Sequence, residues 1–234
     1  MLHWNIHSWR DDAGAPNHAA VAGLIRETAP DVVSLVEVRE SWGAPSALGG
    51  LAGELGYHWV FVPALEFGGS PPELGYGNAL LTLRPPTAVQ QWRIHAPERY
   101  ENTEPSEPRT AVCAQVSVGE ARVWVVSTHL PASNADDRAR ALSRFAALLR
   151  NLDGPWLACG DFNTGPSGWL DELPGITFCP CPPEATHPAR RPVRPIDYCL
   201  ASPGVRAEAR VLRTAGSDHR PVLVSATPSR SGRG

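Results

Sequence analysis

Asp161 and Asn163 stand two residues apart at the end of an apolar run, Trp156-Leu157-Ala158-Cys159, with Gly160 leading into them. The run reads as a strand buried on both faces. In extended chain, residues i and i+2 point the same way, so a carboxylate and a carboxamide would meet at the end of a buried strand. Polar groups there are costly unless a ligand, a metal or a hydrogen-bond partner satisfies them. An Asx turn capping the strand is the plain alternative. The same arrangement recurs along the chain. Asn5 ends the first apolar stretch, Glu37 the second, and His129 the one before the longest helical pattern; Asp197 lies in Ile196-Asp197-Tyr198, and Asp218-His219 just precedes the last strand pattern. Each alone could be a cap, a solvated strand end or a satisfied core histidine. Together they describe a polar site gathered at strand ends. Carboxylates and carboxamides without cysteine suit a hard cation, Mg²⁺ or alternatively Mn²⁺.

The elements that must carry these residues are short. Leu2 to His7 reads as a strand, and Asn17 as the cap of a helix running to about Thr28. Val32 to Val36 is a β-branched strand with Glu37 at its end. Ala47 to Leu55 is a helix stopped by Gly56, and Tyr57 to Val62 a strand. Gly68 to Gly77 reads as a Gly/Pro loop. Asn78 to Leu83 and Val89 to Ile94 read as a hairpin around Pro85-Pro86, and Thr110 to Val118 with Arg122 to His129 as a second, turning at Gly119-Glu120. Pro97 to Pro108 is polar loop. Ala135 to about Leu152 is the clearest helix, with Leu142, Phe145, Leu148 and Leu149 on one stripe and Asp136 and Asp137 at its start. A short helix is expected near Gly168 to Leu173, and an irregular Pro/Arg-rich stretch from Cys179 to Pro195. Strands follow over Ile196–Ala201, Val205–Leu212 and Pro221–Ala226. Many short strands with a few helices between them give a layered α/β class, two packed sheets covered by helices. The expected division is one domain over residues 1–227 and a disordered tail over 228–234.

Composition limits the partners. The chain has 234 residues and a net charge of −3, so it has no global attraction for nucleic acid and any basic surface must be local. All 21 basic side chains are arginine, which stays charged and suits planar recognition of phosphate. Five cysteines in no disulfide pattern lead to the expectation of a reducing compartment, with Cys113, Cys159 and Cys199 as small core residues and Cys179-Pro-Cys181 too close for ordinary zinc spacing. No stretch has the length of a membrane span and no leader is seen, so the expectation is a cytoplasmic monomer without a membrane anchor.

Trp4-Asn5-Ile6, Ser34-Leu35-Val36-Glu37-Val38, Gly77-Asn78-Ala79-Leu80-Leu81, Ser127-Thr128-His129-Leu130, Gly160-Asp161-Phe162-Asn163, Pro195-Ile196-Asp197-Tyr198 and Ser217-Asp218-His219-Arg220-Pro221 resemble the endonuclease/exonuclease/phosphatase superfamily, in that family's order and over nearly the whole chain. The resemblance implies a four-layer α/β/β/α sandwich with two packed, mainly antiparallel sheets, the deoxyribonuclease I-like fold. It implies metal-dependent hydrolysis of phosphate esters, most simply of a phosphodiester substrate such as nucleic acid. Phosphomonoesters, phospholipids and a binding-only member are the alternatives. The roles it implies are Glu37 as main Mg²⁺ ligand, with Asn5 and Asp218 completing that shell; Asp161 activating the water; Asn163 donating to phosphoryl oxygens; and His219, oriented by Asp197, acting on a phosphate oxygen. His129 matches branches that resemble deoxyribonuclease I, sphingomyelinases and tyrosyl-DNA phosphodiesterases; Glu73 is a candidate to orient it. Asn78, Arg109, Arg190, Arg191 and Arg194 are candidate substrate contacts, with Arg39 similar and Trp9, Trp42, Trp92 and Trp169 as surfaces on which a base could stack.

Overall fold

The computed structural model describes residues 1–42, 45–68, 73–97, 106–165, 177–178, 184–214 and 216–229. Its strands are β1 (Leu2–Asn5), β2 (Val32–Ser41), β3 (His58–Phe67), β4 (Leu74–Thr82), β5 (Ala88–His95), β6 (Arg109–Val118), β7 (Ala121–His129), β8 (Trp156–Asp161), β9 (Thr177–Phe178), β10 (Asp197–Ala201), β11 (Val205–Val211) and β12 (Val222–Pro228). The helices are α1 (His18–Thr28), α2 (Ala47–Leu55) and α3 (Ala135–Asn151). Six strands form one sheet in the order β11-β12-β1-β2-β4-β3, and six form the other in the order β5-β6-β7-β8-β10-β9. Among the described residues, β1–β2 and β7–β8 run parallel and the other pairings are antiparallel.

Side-chain alternation sorts the strands into four layers. Leu2, Trp4, Val33, Leu35, Leu51 and Ile25 form a core between the first sheet and α1 and α2. Trp124, Val126, Ala158, Leu200, Phe145 and Leu149 form another between the second sheet and α3. The opposite faces of the strands meet between the sheets, through Val123, Leu157, Cys159, Cys199, Val222 and Val224 and through Val32, Leu80, Val112 and Val125. The result is the α/β/β/α sandwich expected from the motifs.

Parity along each strand then fixes where the polar residues go. Val123, Val125, Ser127 and His129 share one face of β7; Leu157, Cys159 and Asp161 share one face of β8; Ala201, Cys199 and Asp197 share one face of β10. Followed to one end of the sandwich, the apolar interlayer between the sheets turns polar. The site is therefore a continuation of the core.

Several expectations change. Glu37 does not end β2, which runs on to Ser41; the residue sits in a bulge where the register against β4 shifts between Leu35 and Val38. The stretches around Asn78 and Val89 are not a hairpin, because β4 belongs to the first sheet and β5 pairs with β6 in the second. The residues between them carry the chain from one sheet to the other. The expected loop before Gly77 is shorter, since β4 begins at Leu74. Asn17 precedes α1 but makes no side-chain cap; its amide donates to Ile6, Arg10 and Gly216 carbonyls and fastens the loop after β1. At α3 the cap is Asn134, whose Oδ1 accepts from the Asp136 and Asp137 backbone N–H groups.

Cys159 and Cys199 are joined in a disulfide. They face each other directly across β8 and β10, with Cα atoms 4.2 Å apart, and adjacent strands bring such a pair together however distant in sequence. Both are buried core residues, as expected, but they are not free thiols. Cys113 is a buried free thiol whose pKa burial pushes up to about 12. Pro228, assigned to the tail, is the last residue of β12 opposite Val205. The expected helix near Gly168 and the Cys179–Cys181 pair lie outside the described residues. Among the described residues, no helix is long and apolar enough to cross a membrane.

Candidate active site

β1 delivers Asn5 to the interlayer beside the end of β8. Its amide nitrogen lies 2.9 Å from Glu37 Oε1 and 3.1 Å from Asp161 Oδ2, so one NH₂ group donates to two carboxylates from different sheets. Glu37 reaches this point because the bulge holds it at φ 57°, a left-handed conformation that turns its side chain out of the strand's alternation. Asn5 is fixed in turn: its Oδ1 accepts from the His7 N–H at 3.0 Å, and its carbonyl accepts from Ser217 Oγ at 2.7 Å. His7, Ser8 and Trp9 all carry left-handed φ values of 48°, 56° and 63°. This strained turn is pinned by the Trp9 indole, which donates to the Arg39 carbonyl at 2.7 Å and stacks on His18.

Asp161 is nearly inaccessible and stands at the centre of the cluster. Its Oδ1 accepts from the Asn163 backbone N–H at 2.9 Å, so the Asx turn weighed as an alternative is present. Its Oδ2 still faces the site, 3.6 Å from His129 Nε2 and 3.7 Å from His219 Nε2. Asn163 is not extended but left-handed at φ 54°, and its amide nitrogen lies 3.0 Å from both the Leu130 carbonyl and His129 Nε2. That nitrogen must donate to the carbonyl, so His129 Nε2 accepts its other hydrogen and the ring is neutral with its proton on Nδ1. Burial, Arg109 and His219 hold the His129 pKa well below the ordinary histidine value, in agreement.

His219 Nδ1 lies 2.9 Å from Asp197 Oδ2. Burial works against the imidazolium, but Asp197 and Asp161 outweigh it and raise the His219 pKa to about 10. Burial also opposes the Asp197 carboxylate, yet His219 and His3 hold its pKa below the usual range. Asp161 goes the other way, raised by burial and by the charge of Asp197. Asp161, Asp197 and His219 offer ligand atoms within 4.8 Å of one another, as do His187, Asp218 and His219. Asp218 is half-buried; Ser217 Oγ lies 3.2 Å from its Oδ1, and His7 and His187 flank it at 3.9 and 4.0 Å.

The remaining candidates divide. Arg109 is buried, donates to Glu107 Oε2 at 2.5 Å, and leaves Nε without a hydrogen-bond partner among the described residues. It lies beside Tyr76, whose pKa burial and Glu37 push well above the ordinary tyrosine value. Asn78 is buried between the sheets, its amide donating to the Thr110 carbonyl at 2.7 Å. Arg190 pairs with Asp12 at 2.6 Å, and Arg191 and Arg194 are exposed on the same loop. Glu73 does not orient His129: its carboxylate lies against Gly68 at the tip of the β3–β4 pair. Arg39 and Trp42 lie beyond the Glu37 bulge, and Trp42 packs against Phe61; Trp169 is outside the described residues.

Sequence reasoning missed two histidines. His3 is fully buried behind Asp197, and His187 lies over the His219 ring with centroids 4.7 Å apart. For His3 the signal was present: it shares a strand face with Asn5, an ionisable residue where an apolar one was due.

The donor set fits a hard divalent cation. Glu37 and Asp218 supply carboxylate oxygens, Asn5 turns its amide N–H groups to Glu37 and its Oδ1 to the His7 N–H, and the bulge at φ 57° turns Glu37 toward the cluster.

Residues 2–219 match the Endonuclease/Exonuclease/phosphatase family. No curated protein matches the chain. Among solved structures, an endonuclease/exonuclease/phosphatase from Beutenbergia cavernae is 24% identical with a TM-score of 0.76, covering 97% of this chain and 70% of that one. A mannosyl-6-phosphatase from Bacteroides thetaiotaomicron is 14% identical with a TM-score of 0.74, covering 97% and 98%. D. rerio TDP2 complexed with a single-strand DNA product is 14% identical with a TM-score of 0.72, covering 97% of each chain. At these identities the likeness to the structures is one of fold.

Proposed function

The chain belongs to the Endonuclease/Exonuclease/phosphatase family, hydrolases acting on phosphoesters, and from that premise we propose that it is a Mg²⁺-dependent phosphodiesterase, its substrate class including nucleic acid. The observation that carries this reading is the single Asn5 amide shared by Glu37 and Asp161. It brings the cation-binding and water-activating groups within one side chain's reach.

Glu37, with Asn5 and Asp218, would hold the cation. When bound, the cation supplies Lewis-acid polarisation of a phosphoryl oxygen and charge for the transition state. The chain's own groups do the rest. Asp161, with its proton affinity raised by burial and Asp197, is a stronger base than an ordinary carboxylate and accepts the proton of the attacking water. The hydrogen bond to the Asn163 N–H keeps Oδ1 occupied and leaves Oδ2 for that role. The Asn163 amide and His219 Nε2 donate to the phosphoryl oxygens, where negative charge grows. His219 stays protonated through Asp197, so it enters as a donor. His129 is neutral and accepts from Asn163 in the resting site; substrate binding that takes the Asn163 donor frees its Nε2. Arg109, buried and with no Nε partner among the described residues, is a guanidinium that could meet a phosphate.

The test is a hydrolysis panel with Mg²⁺, Mn²⁺ and EDTA over plasmid DNA, single-stranded DNA, RNA, bis-p-nitrophenyl phosphate, p-nitrophenyl phosphate and sphingomyelin. Metal-dependent turnover of diesters, lost in folded Asp161→Ala and His219→Ala, is the expected result. Exclusive action on the monoester, or turnover retained in either variant, overturns it.

A further inference from the structure

His3 lies on the interlayer face of β1, fully buried, two residues before Asn5. Its Nδ1 is 2.9 Å from Ser34 Oγ, and Ser34 Oγ is 2.7 Å from Ser127 Oγ. Its Nε2 is 3.4 Å from Asp197 Oδ1. The other oxygen of Asp197 is the one that meets His219. Among the described residues, neither His3 Nε2 nor Asp197 Oδ1 has a hydrogen-bond partner of its own.

A buried carboxylate oxygen with no donor costs the full desolvation of that atom. Here one group can supply the donor, and the two tautomers of a neutral His3 differ sharply. With the proton on Nδ1, the Nε2 lone pair faces the Oδ1 lone pairs, two acceptors in contact. With the proton on Nε2, that N–H is the donor facing Oδ1 across 3.4 Å, while Nδ1 accepts from the Ser34 hydroxyl. A serine hydroxyl rotates to suit, and Ser127 can supply Ser34 with a donor in turn. The second tautomer gives Asp197 Oδ1 its donor, and that acceptor-only carboxylate selects it; the two serine hydroxyls, which suit either tautomer, hold the ring in place. The 3.4 Å contact is long, as hydrogen bonds that support catalysis are before substrate binds.

We propose that His3 is a positioning residue for the phosphoester chemistry: fixed by Ser34 and Ser127, it holds Asp197 from behind, so that Oδ2 stays on His219 Nδ1 and His219 Nε2 stays turned to Asp161. This rests on the proposed phosphoesterase activity for its consequence, but the clamp itself is visible without turnover. The chain runs Ser127, Ser34, His3, Asp197, His219, and crosses from one sheet to the other twice. A carboxylate held at both oxygens by imidazoles from two segments, His3 on β1 and His219 in the bend before β12, cannot rotate about its terminal torsion, whereas one held only by His219 can.

The experiment compares wild type with His3→Leu, His3→Gln and His3→Asn. A glutamine amide reaches Asp197 as Nε2 does; an asparagine amide can keep Ser34 but falls short of Asp197. In the metal-free protein, the downfield ring proton on His219 Nδ1, assigned by its absence in His219→Gln, is expected in wild type and His3→Gln and is lost or broadened in His3→Leu. With Mg²⁺ and bis-p-nitrophenyl phosphate, kcat of His3→Leu is expected to fall about 10–100-fold, as for removal of partners that orient a reacting side chain, with KM unchanged and with most of the loss restored by His3→Gln. If His3→Leu does not fold, His3→Gln exceeding His3→Asn in kcat and in the Nδ1 proton signal supports the clamp, and equality overturns it. An unchanged His219 proton or an unchanged kcat in folded His3→Leu also overturns it. If wild type turns over no phosphoester, the proposed function falls, and the proton signal still decides whether His3 holds Asp197.

Discussion

Asn5 Nδ2 lies 2.9 Å from Glu37 Oε1, a contact between a strand end in the middle of one sheet and a bulge on the neighbouring strand. Asn5→Ala removes it and leaves Glu37 and Asp161 facing each other without the shared donor. Affinity for Mg²⁺ or Mn²⁺ is expected to fall about 10–100-fold, measured by titration calorimetry on folded protein. Unchanged affinity would mean that the amide only fills space.

Asp197→Asn keeps the shape of the carboxylate and removes its charge. His219 then loses the main partner that raises its proton affinity, and the ring can take the other tautomer. We expect kcat to drop by about 10²–10⁴-fold, the range for disabling a general acid–base group, with the Tm kept within a few degrees. Steady-state kinetics with thermal melts would check both halves.

The pH dependence of metal-free stability follows from opposite shifts. Asp161 has a raised proton affinity, so from about pH 4 upward the folded state keeps a proton that the unfolded chain has released, and stability falls as pH rises. His219 repeats the pattern higher: its contribution is full below about pH 6.5 and is lost as pH rises toward about 10. Asp197, held low, contributes above the ordinary carboxylate range and loses that contribution only as the solution is acidified below it. His129, held low, works the other way below about pH 6.5, so the test is the difference between wild type and variants in urea unfolding in EDTA, at most about 1.4 kcal/mol per pH unit for each proton. Asp161→Asn should flatten the slope below pH 7 and His219→Gln the slope above it.

Gly160 passes the β7 backbone so closely that a Cβ there would lie 2.5 Å from the Thr128 carbonyl oxygen. Gly160→Ala must push β7 and β8 apart immediately before Asp161. A loss of about 1–3 kcal/mol in unfolding free energy is expected, the usual cost of overpacking, together with a fall in kcat larger than that of an alanine elsewhere on β8.

The strand ends and most site residues were legible because they break a pattern: polar types at the end of apolar runs have few stable places to be. What escaped was whatever depends on pairing between distant strands. The Asn78 and Val89 strands look like a hairpin in sequence, and nothing local to Pro85-Pro86 says that the chain is changing sheets. Glu37 looks terminal because the bulge reverses the alternation after it; Val33 and Leu35 face the helices, and so does Val38. Cys159 and Cys199 are joined because β8 and β10 are neighbours in register, which their own surroundings in sequence do not encode. His3 breaks the apolar pattern of β1 as Asn5 does, but what it meets, Ser34 and Asp197, comes from two other strands.

The turn through His7, Ser8 and Trp9 leaves the molecule with a reserve that selection for stability alone would have spent. L-residues in that conformation cost about 1–2 kcal/mol each, and glycine would relieve the cost at Ser8 without touching a site side chain. Ser8→Gly should therefore give a sturdier protein by thermal melting and a poorer catalyst. The tension that keeps the His7 amide on Asn5 would slacken along with the backbone.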